Sequence, residues 1–184
     1  MKIVVAITAA SGAIYAKQIL ELLVADECVS QIAVVCSRSA REVAAYEGVT
    51  LPVDDKITEY NHDDMFAPPA SGSASWSAMI VAPCSVGTMS RIATGVSDSL
   101  ITRAADVMLK ERRRLILLVR ETPLSLIHLR NMVALTEAGA IVMPASPSFY
   151  GGARDVESLA LTVSGRAVEM VGAVGGVVEW RGRW

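Results

Sequence analysis

The sequence predicts an α/β protein, a three-layer Rossmann-like (doubly wound) domain with a mainly parallel sheet. Short apolar, β-branched runs typical of buried parallel strands alternate with segments of helical periodicity. The chain has 184 residues, which suffices for one domain with a sizeable core, and no internal repeat or linker divides it. We therefore expect one domain over residues 1–184, ending in a Gly-rich tail at about 172–184.

Strands and helices are predicted from these patterns in chain order. The runs that predict strands are Lys2–Thr8, Gln31–Cys36, Ala78–Ala82, Leu115–Val119 and Ala140–Met143. The segments that predict helices are Ala13–Val24, Ser37–Ala45, about Ser97–Arg112, Ser125–Ala138 and Val156–Val171. Ser37 is a suitable N-cap, and Gly139 is a suitable residue to end a helix. Residues 47–76 lack periodicity, and we expect a long loop there, with a turn at Pro83–Thr88.

The chain is unusually apolar for a protein of this size. Hydrophobic residues make up 52% of it, charged residues 20%, and the mean hydropathy is +0.42. No run reaches the roughly 18–20 apolar residues of a membrane-spanning helix. We therefore expect the excess apolar surface to be covered in a homo-oligomer.

Charge and metal-binding residue types exclude several function classes. With 17 Lys and Arg against 19 Asp and Glu, the net charge is −2, which argues against a nucleic-acid partner. The three cysteines, Cys28, Cys36 and Cys84, lack metal-ligand spacing and predict reduced thiols in a cytoplasmic protein. The sequence has two histidines, His62 and His128, which argues against a His-rich metal site, and we expect no metal.

Polar groups follow the predicted strands at their carboxyl ends, where ligands bind in such sheets. The segments are Thr8–Gly12, Ser37, Ser85–Thr88, Arg120-Glu121 and Pro144–Tyr150. Each has a structural alternative: a tight turn, a helix N-cap, or a surface ion pair for Arg120-Glu121. Their convergence favours a phosphate-bearing ligand over any single turn.

A basic stretch completes the set of candidate residues. Arg103 and Lys110 are seven residues apart, so they share one face of a helix. The run Lys110–Arg114 is typical of a solvated helix end. We expect most of this run at the surface, with one or two members facing a substrate phosphate.

Six segments, in order along the chain, resemble the UbiX-type flavin prenyltransferases. They are Thr8–Ala13, Ala67–Ser73, Pro83–Thr88, Thr102–Val107, Leu109–Arg113 and Val119–Leu124. The likeness extends from residue 1 to about 170. It implies a Rossmann-like sheet, FMN binding, and a large homo-oligomer, often a dodecamer. It also implies that prenylated FMN is made for UbiD-type decarboxylases, in ubiquinone synthesis or in aromatic-acid decarboxylation.

The resemblance also implies roles for individual residues. Those that would hold FMN are Ala9, Ala10, Ser11, Ser37, Ser85, Val86, Gly87, Thr88 and Arg120. Those that would hold dimethylallyl phosphate, as a monophosphate or a diphosphate, are Lys110, Tyr150 and Arg166, with Arg103 in support and Trp180 matched only loosely. Ser11 and Glu121 match catalytic positions, alongside Lys110 and Arg103. Ala9 replaces a glycine of the family, and alanine would cost about 1 kcal/mol if that backbone needed a positive φ.

The implied reaction joins an allylic carbon to N5 of reduced FMN and then closes a ring through C6. Fixed cations aimed at the leaving phosphate stabilise that step without a metal. Trp76 or Trp180, or the flavin itself, would line the allylic group. Glu121, Ser11 or the released phosphate would accept the ring proton. Two alternatives stay open: an FMN-dependent cysteine decarboxylase of the same superfamily, and a non-catalytic FMN carrier of a decarboxylase.

Overall fold

The computed structural model describes residues 1–176, which contain six strands and six α-helices. The strands are β1 Lys2–Ile7, β2 Gln31–Cys36, β3 Ile57–Tyr60, β4 Ala78–Cys84, β5 Arg114–Val119 and β6 Ile141–Pro144. The helices are α1 Ala13–Ala25, α2 Ala40–Tyr46, α3 Val86–Ala93, α4 Leu100–Lys110, α5 Leu126–Glu137 and α6 Val156–Met170. Two short 3₁₀ turns, Pro68–Ala70 and Gly72–Ala74, precede β4.

All six strands are parallel and form one sheet in the order β3-β2-β1-β4-β5-β6. The order reverses between β1 and β4, so the chain has a topological switch point there, where doubly wound folds bind ligands. The prediction of a doubly wound parallel sheet is confirmed. The strands are apolar throughout because both faces of the sheet are covered.

Two buried clusters fill the space on either side of the sheet. On one face, alternate residues of β1 such as Ile3 and Val5 pack against α1 and α6. On the other face, Val4 and Ala6 pack against α3, α4 and α5. Because successive side chains of a strand point to opposite faces, every central strand contributes to both clusters. The result is the predicted three-layer arrangement.

The sequence-based prediction was wrong at three places in this fold. The stretch 47–76 is not entirely a loop, because Ile57–Tyr60 pairs with β2 as a sixth, edge strand. The segment after Ser85 is helix α3, which begins at Val86. Ser37 is not a helix N-cap: α2 begins at Ala40, after Ser39, because the chain continues beyond β2 before it turns.

The remaining boundaries follow from local capping. Ser99 and Ser125 start α4 and α5, and Asp155 starts α6, each with a reciprocal capping box. Gly139 follows α5 with a φ of +100°, as expected of a residue that ends a helix. No helix within residues 1–176 is long and apolar enough to cross a membrane.

Helix α5 presents an apolar surface that the described residues do not cover. Its outward side chains are Leu126, Ile127, Leu129 and Val133, which are 61%, 68%, 45% and 57% exposed. A patch of large aliphatic side chains on one helix is typical of a protein–protein interface. Part of the excess of apolar residues in the sequence therefore lies on the exposed surface of one helix.

Candidate functional site

The carboxyl ends of β1 and β4 meet through one buried hydroxyl. Thr8, directly after β1, donates from Oγ1 to the Pro83 carbonyl at 2.7 Å and accepts from the Ser85 N–H at 2.8 Å. Its side chain is 2% exposed. In the β1–β2 register, Ile7 pairs with Cys36, so Thr8 and Ser37 are neighbours at the sheet edge. The switch point is therefore a fixed structure rather than a loose loop.

A polar cavity of about 290 Å³ lies at this edge. Among the residues that line it are Thr8, Ala9, Ser37, His62, Ser85, Thr88, Arg91, Asp98, Ser99 and Thr102. The N-termini of α3 and α4 both reach it, through Ser85 and Ser99. Helix N-termini favour anions because their backbone N–H groups and dipoles point outward. The Ser37 Oγ atom is buried there and has no hydrogen-bond partner among residues 1–176.

An apolar cavity of about 610 Å³ lies on the other side of the first turn. Among its lining residues are Ser11, Gly12, Ile14, Tyr15, Glu47, Arg120, Ala145, Pro147 and Leu159. Glu47 is the notable member because its carboxylate binds the turn itself. It accepts from the N–H of Gly12 at 2.9 Å and from the N–H of Ala13 at 2.7 Å. The turn that carries Ser11 is thus held by a side chain from α2's far end.

The charges in this cavity act on one another. Burial is the largest influence on Glu47 and by itself raises its pKa. Hydrogen bonds from Ser11, Gly12 and Ala13, together with the Arg120 charge, outweigh burial and hold the pKa of Glu47 below its ordinary value. Burial raises the pKa of Tyr15, with Arg120 acting in the opposite direction. Glu47 is therefore an anion and Tyr15 a neutral phenol at neutral pH.

The backbone of the first turn shows whether alanine is strained at position 9, where the family has glycine. Among residues 1–176 the non-glycine residues with positive φ are Ser75 and Arg112, so alanine is unstrained at position 9. The left-handed residue of the turn is Gly12, with a φ of +105°. A Cβ atom at Gly12 would lie 2.8 Å from the Tyr15 ring. The turn thus requires glycine at position 12 and tolerates alanine at position 9.

Arg120 and Glu121 follow β5 at the same edge of the sheet. The Arg120 N–H donates to the Cys84 carbonyl at 3.2 Å, which fixes the chain beside the end of β4. The Glu121 carboxylate accepts from the Thr122 N–H at 3.0 Å, and no ion pair joins it to Arg120 within the described residues. The alternative of a surface ion pair between these two residues is therefore wrong for this part of the chain.

Arg103 and Lys110 differ in their position along one helix. Both are on α4, which runs toward the amino edge of the sheet, where β5 begins at Arg114. Lys110 pairs with Glu111 at 2.6 Å, and Arg103 pairs with Asp106 at 2.8 Å. Lys110, the last residue of α4, is therefore remote from the edge at which the cavities open, whereas Arg103 directly follows Thr102, which lines the polar cavity.

Three cations hold the loop before β4 by its backbone. Arg103 donates to the Ala70 carbonyl at 3.0 Å, Arg113 to that of Gly72 at 2.8 Å, and Lys2 to that of Ala74 at 2.6 Å. Trp76, 1% exposed, ends this loop in the core with the Lys2 ammonium 5.0 Å from its ring centre. The suggestion that Trp76 lines an allylic group is therefore wrong, because its ring is packed at the opposite edge.

The remaining predicted substrate residues are dispersed. Tyr150, 63% exposed, lines a cavity of about 410 Å³ with Ser148, Arg154 and Thr162. Arg166 forms an ion pair with Glu169 at 3.0 Å. Arg166 is ten residues beyond the first residue of α6, so it lies about 15 Å from the start of that helix. Trp180 lies outside the described residues. No group of three His, Cys, Asp or Glu side chains within residues 1–176 is placed to hold a metal ion.

Residues 1–168 match the Flavoprotein family model, which places the chain among the flavoproteins. A flavin prenyltransferase UbiX from Methanocaldococcus jannaschii is 44% identical over 178 residues, covering 94% of each chain. The chain belongs to the UbiX flavin prenyltransferases within that family.

Solved structures agree with this assignment. The crystal structure of AnUbiX in complex with FMN and dimethylallyl pyrophosphate has a TM-score of 0.91 at 41% identity, covering 100% of this chain and 98% of that one. A dodecameric FMN-dependent UbiX-like decarboxylase from Escherichia coli O157:H7 has a TM-score of 0.91 at 35% identity, with 99% and 100% covered. An FMN-dependent cysteine decarboxylase from thioviridamide biosynthesis, at 16% identity and a TM-score of 0.62, shares the fold alone.

Sequence reasoning missed Glu47 and Tyr15 in the apolar cavity and His62 in the polar one. Glu47 is 35 residues from Gly12 along the chain, so no local pattern connects them. His62 follows β3, the strand that was not predicted. The spacing of Tyr15, three residues after Gly12 and within one helical turn, was the one signal available in the sequence.

Proposed function

We propose that this chain is a flavin prenyltransferase that joins a dimethylallyl group, from dimethylallyl phosphate, to N5 and C6 of reduced FMN. One observation carries the proposal: a polar and an apolar cavity open on either side of the turn Thr8–Gly12. FMN has the same two-part character, with a dianionic phosphate and a flat apolar ring. Membership of the UbiX family supports the assignment.

The polar cavity fits the phosphate of FMN. Ser37 offers a buried hydroxyl without a partner, and Thr88 is 9% exposed at the first turn of α3. Val86 and Gly87 add backbone N–H groups, because the first residues of a helix have no acceptor within it. These are the residues that would hold the phosphate, and Ala9 and Ala10 would leave space for the sugar chain beside them.

The apolar cavity fits the flavin ring. Ser11 and Arg120 would supply polar contacts in a largely apolar lining, and Glu47 keeps Ser11 in place through the turn. An apolar lining strengthens electrostatic interactions at the ring, and the bound flavin and donor would displace water from the reactive allylic group. Glu121, Ser11 or the released phosphate would accept the proton lost when the second bond forms.

The leaving phosphate needs cations, and those implied by the resemblance lie elsewhere in the chain. Lys110 and Arg166, with Tyr150 and supporting Arg103, would stabilise the charge that gathers as the carbon–oxygen bond breaks. Because Lys110 lies toward the amino edge and the Arg103 guanidinium is bound to Ala70 and Asp106, we propose that neighbouring copies in a homo-oligomer of twelve chains supply these two cations. The exposed apolar face of α5 supports such an assembly.

The wider setting is part of the same proposal. We propose that the product serves a UbiD-type decarboxylase as its cofactor. The free thiols of Cys28, Cys36 and Cys84 support a cytoplasmic location, where thiols stay reduced. Against the cysteine decarboxylase alternative, His128 is engaged in the capping box of α5, where its Nδ1 accepts from the Ser125 N–H at 3.2 Å.

The test is anaerobic incubation with reduced FMN and either dimethylallyl monophosphate or dimethylallyl diphosphate, followed by mass spectrometry of the flavin. We expect the mass of one added C5 unit, lost in Glu121→Gln and in Lys110→Ala. The surface pair Lys17 and Glu21 provides matched controls, Lys17→Ala and Glu21→Gln, which should retain activity. Bound but unmodified FMN with both donors would overturn the proposal and favour an FMN carrier.

A further inference from the structure

His62 lies at the polar cavity because of the pairing between β2 and β3. Val35 pairs with Tyr60, and Ser37 and His62 each stand two residues beyond those partners. Ile7 pairs with Cys36 in the neighbouring register, which adds Thr8 to the same row. Thr8, Ser37 and His62 therefore follow three adjacent strands at one edge of the sheet. All three line the polar cavity.

The backbone around His62 is fixed on both sides. The His62 carbonyl accepts from the Leu100 N–H at 2.8 Å, which joins the residue to the first turn of α4. The Asp64 N–H donates to the Asn61 carbonyl at 3.1 Å, and the Asp63 N–H donates to Asn61 Oδ1 at 2.9 Å. This tight turn holds the imidazole at the cavity without any bond from its own Nδ1 atom.

The Nδ1 atom of His62 is buried and has no hydrogen-bond partner among residues 1–176. A buried polar atom without a partner costs free energy, so such atoms in proteins usually meet a ligand or water. Ser37 Oγ, in the same cavity, is in the same condition. Both atoms thus belong to residues that line one cavity, and both lack a partner within the described part of the chain.

The two arginines that line the polar cavity, Arg38 and Arg91, are already paired with carboxylates. Arg91 Nε lies 3.4 Å from Asp98 Oδ2, and Arg38 Nη2 lies 2.9 Å from Asp63 Oδ1. Each arginine is therefore matched by a carboxylate. Thr102 Oγ1 also donates to Asp98 Oδ1 at 3.3 Å. A dianionic phosphate in this cavity needs donors beyond the two arginines, because Asp98 opposes it.

We infer that His62 donates a hydrogen bond from Nδ1 to the phosphate of FMN and thereby makes the cavity select FMN over riboflavin. The inference rests on the proposed function, since it concerns the flavin of that same site. His62 is a binding residue for the phosphate end and takes no part in the bond-forming steps. Its contribution is therefore to affinity for one flavin over another.

The experiment compares two flavins on the flavin-free full chain, following the quenching of flavin fluorescence. In His62→Leu we expect the FMN Kd to rise about ten- to a hundredfold, as for the loss of a charge-assisted hydrogen bond. The riboflavin Kd should be unchanged. In His62→Asn, whose side-chain amide nitrogen can take the place of Nδ1, most of the FMN affinity should return. The phosphorus NMR resonance of bound FMN should move in His62→Leu.

His128→Gln is the matched control, because it removes the other histidine and keeps a residue suited to the capping box of α5. An unchanged ratio of FMN to riboflavin affinity in His62→Leu would overturn the inference, whether both affinities stay the same or both fall equally. If the unaltered chain binds FMN in those cases, the proposed function still stands. If the unaltered chain binds neither flavin, both fail.

Discussion

The carboxylate of Glu47 accepts from the backbone N–H of Gly12 with both oxygens, at 2.9 and 3.1 Å. Gly12 is the N-cap of α1 and has no side chain with which to cap that helix. Glu47, which follows the last residue of α2, therefore accepts hydrogen bonds from the free N–H groups at the start of α1. The consequence is that the first turn and its serine are positioned by a tertiary contact.

Glu47→Gln tests this contact. The amide of glutamine presents one acceptor instead of two and loses the charge that favours a helix N-terminus. We expect a loss of about 1–2 kcal/mol in the free energy of unfolding at neutral pH, measured in urea. Glu27→Gln, at an exposed glutamate in the turn after α1, should have no such effect.

The same pair of proteins has a predictable pH dependence. Because the folded state lowers the pKa of Glu47, its contribution is present above the ordinary glutamate pKa and is lost as pH falls through the lower, folded value. The stability difference between the wild type and Glu47→Gln should therefore shrink in acid. A difference that stays constant across that range would contradict the assigned pKa direction.

Gly12→Ala should be among the costlier single changes in the chain. The left-handed backbone costs about 1 kcal/mol, and the collision with the Tyr15 ring adds about 1–3 kcal/mol. Gly95→Ala, at a φ of +71° but in open space, should show the backbone cost alone. In a Tyr15→Ala background the cost of Gly12→Ala should fall to that same level. Thermal or urea unfolding of the wild type, the three single variants and the double variant measures each step.

Thr8→Val removes one oxygen that serves two partners. The Pro83 carbonyl and the Ser85 N–H would both lose a buried hydrogen bond, which predicts a loss of about 2–4 kcal/mol in the free energy of unfolding. Thr8→Ser retains the hydroxyl and should lose much less. Equal stability of the two variants would show that the hydroxyl does not join β1 to β4.

The three thiols should differ sharply in reactivity. Burial raises the pKa of Cys84 to about 12 and is also the main reason that the pKa of Cys36 is raised, whereas Cys28 is exposed. Since the thiolate is the reactive form, iodoacetamide at neutral pH should label Cys28 alone in the folded chain and all three after unfolding. Cys28→Ser should abolish labelling of the folded protein. Labelling of Cys84 under native conditions would contradict its burial.

If neighbouring copies complete the site, two inactive variants should restore each other. Lys110→Ala and Glu121→Gln, refolded together, should regain part of the prenyl transfer in mixed assemblies. The double variant in a single chain is the control, since no mixed interface in that protein joins an intact pair. Native mass spectrometry should first show that the assemblies contain both variants. If the prenyl-transfer activity of the mixture then does not exceed that of the separate variants, one chain supplies both residues.

Most of the sheet could be predicted because its central strands are buried on both faces. Such strands appear in the sequence as unbroken apolar runs, as in β1 and β5. The ends of these runs then locate Thr8 and Arg120, the residues directly after the two strands. The edge strand β3 could not be predicted in this way. Only Ile57 and Tyr60 of its four residues are partly buried, so it carries neither a run nor an alternation.

The candidate site was predictable where it depends on local order and not where it depends on tertiary contact. The segments at strand ends gave Ser37 and Ser85, which line one cavity. Glu47 and His62 join their cavities through packing between distant segments, which a single sequence does not encode locally. The role of Arg103 in holding Ala70 is likewise a tertiary feature.

The loop before β4 is held by its buried side chains Ala67, Pro69 and Trp76, and also by carbonyl oxygens at positions 70, 72 and 74. Every amino acid has a backbone carbonyl oxygen, so these three hydrogen bonds do not depend on which side chains stand at positions 70, 72 and 74. Ser71 and Ser73 are exposed and their hydroxyls bond each other, so replacing either serine leaves these three backbone hydrogen bonds in place. Gly72 is the exception, because a Cβ atom there would meet the side chain of Glu111. A loop of this design can change its outward chemistry, and hence its neighbours in an assembly, while its shape is inherited.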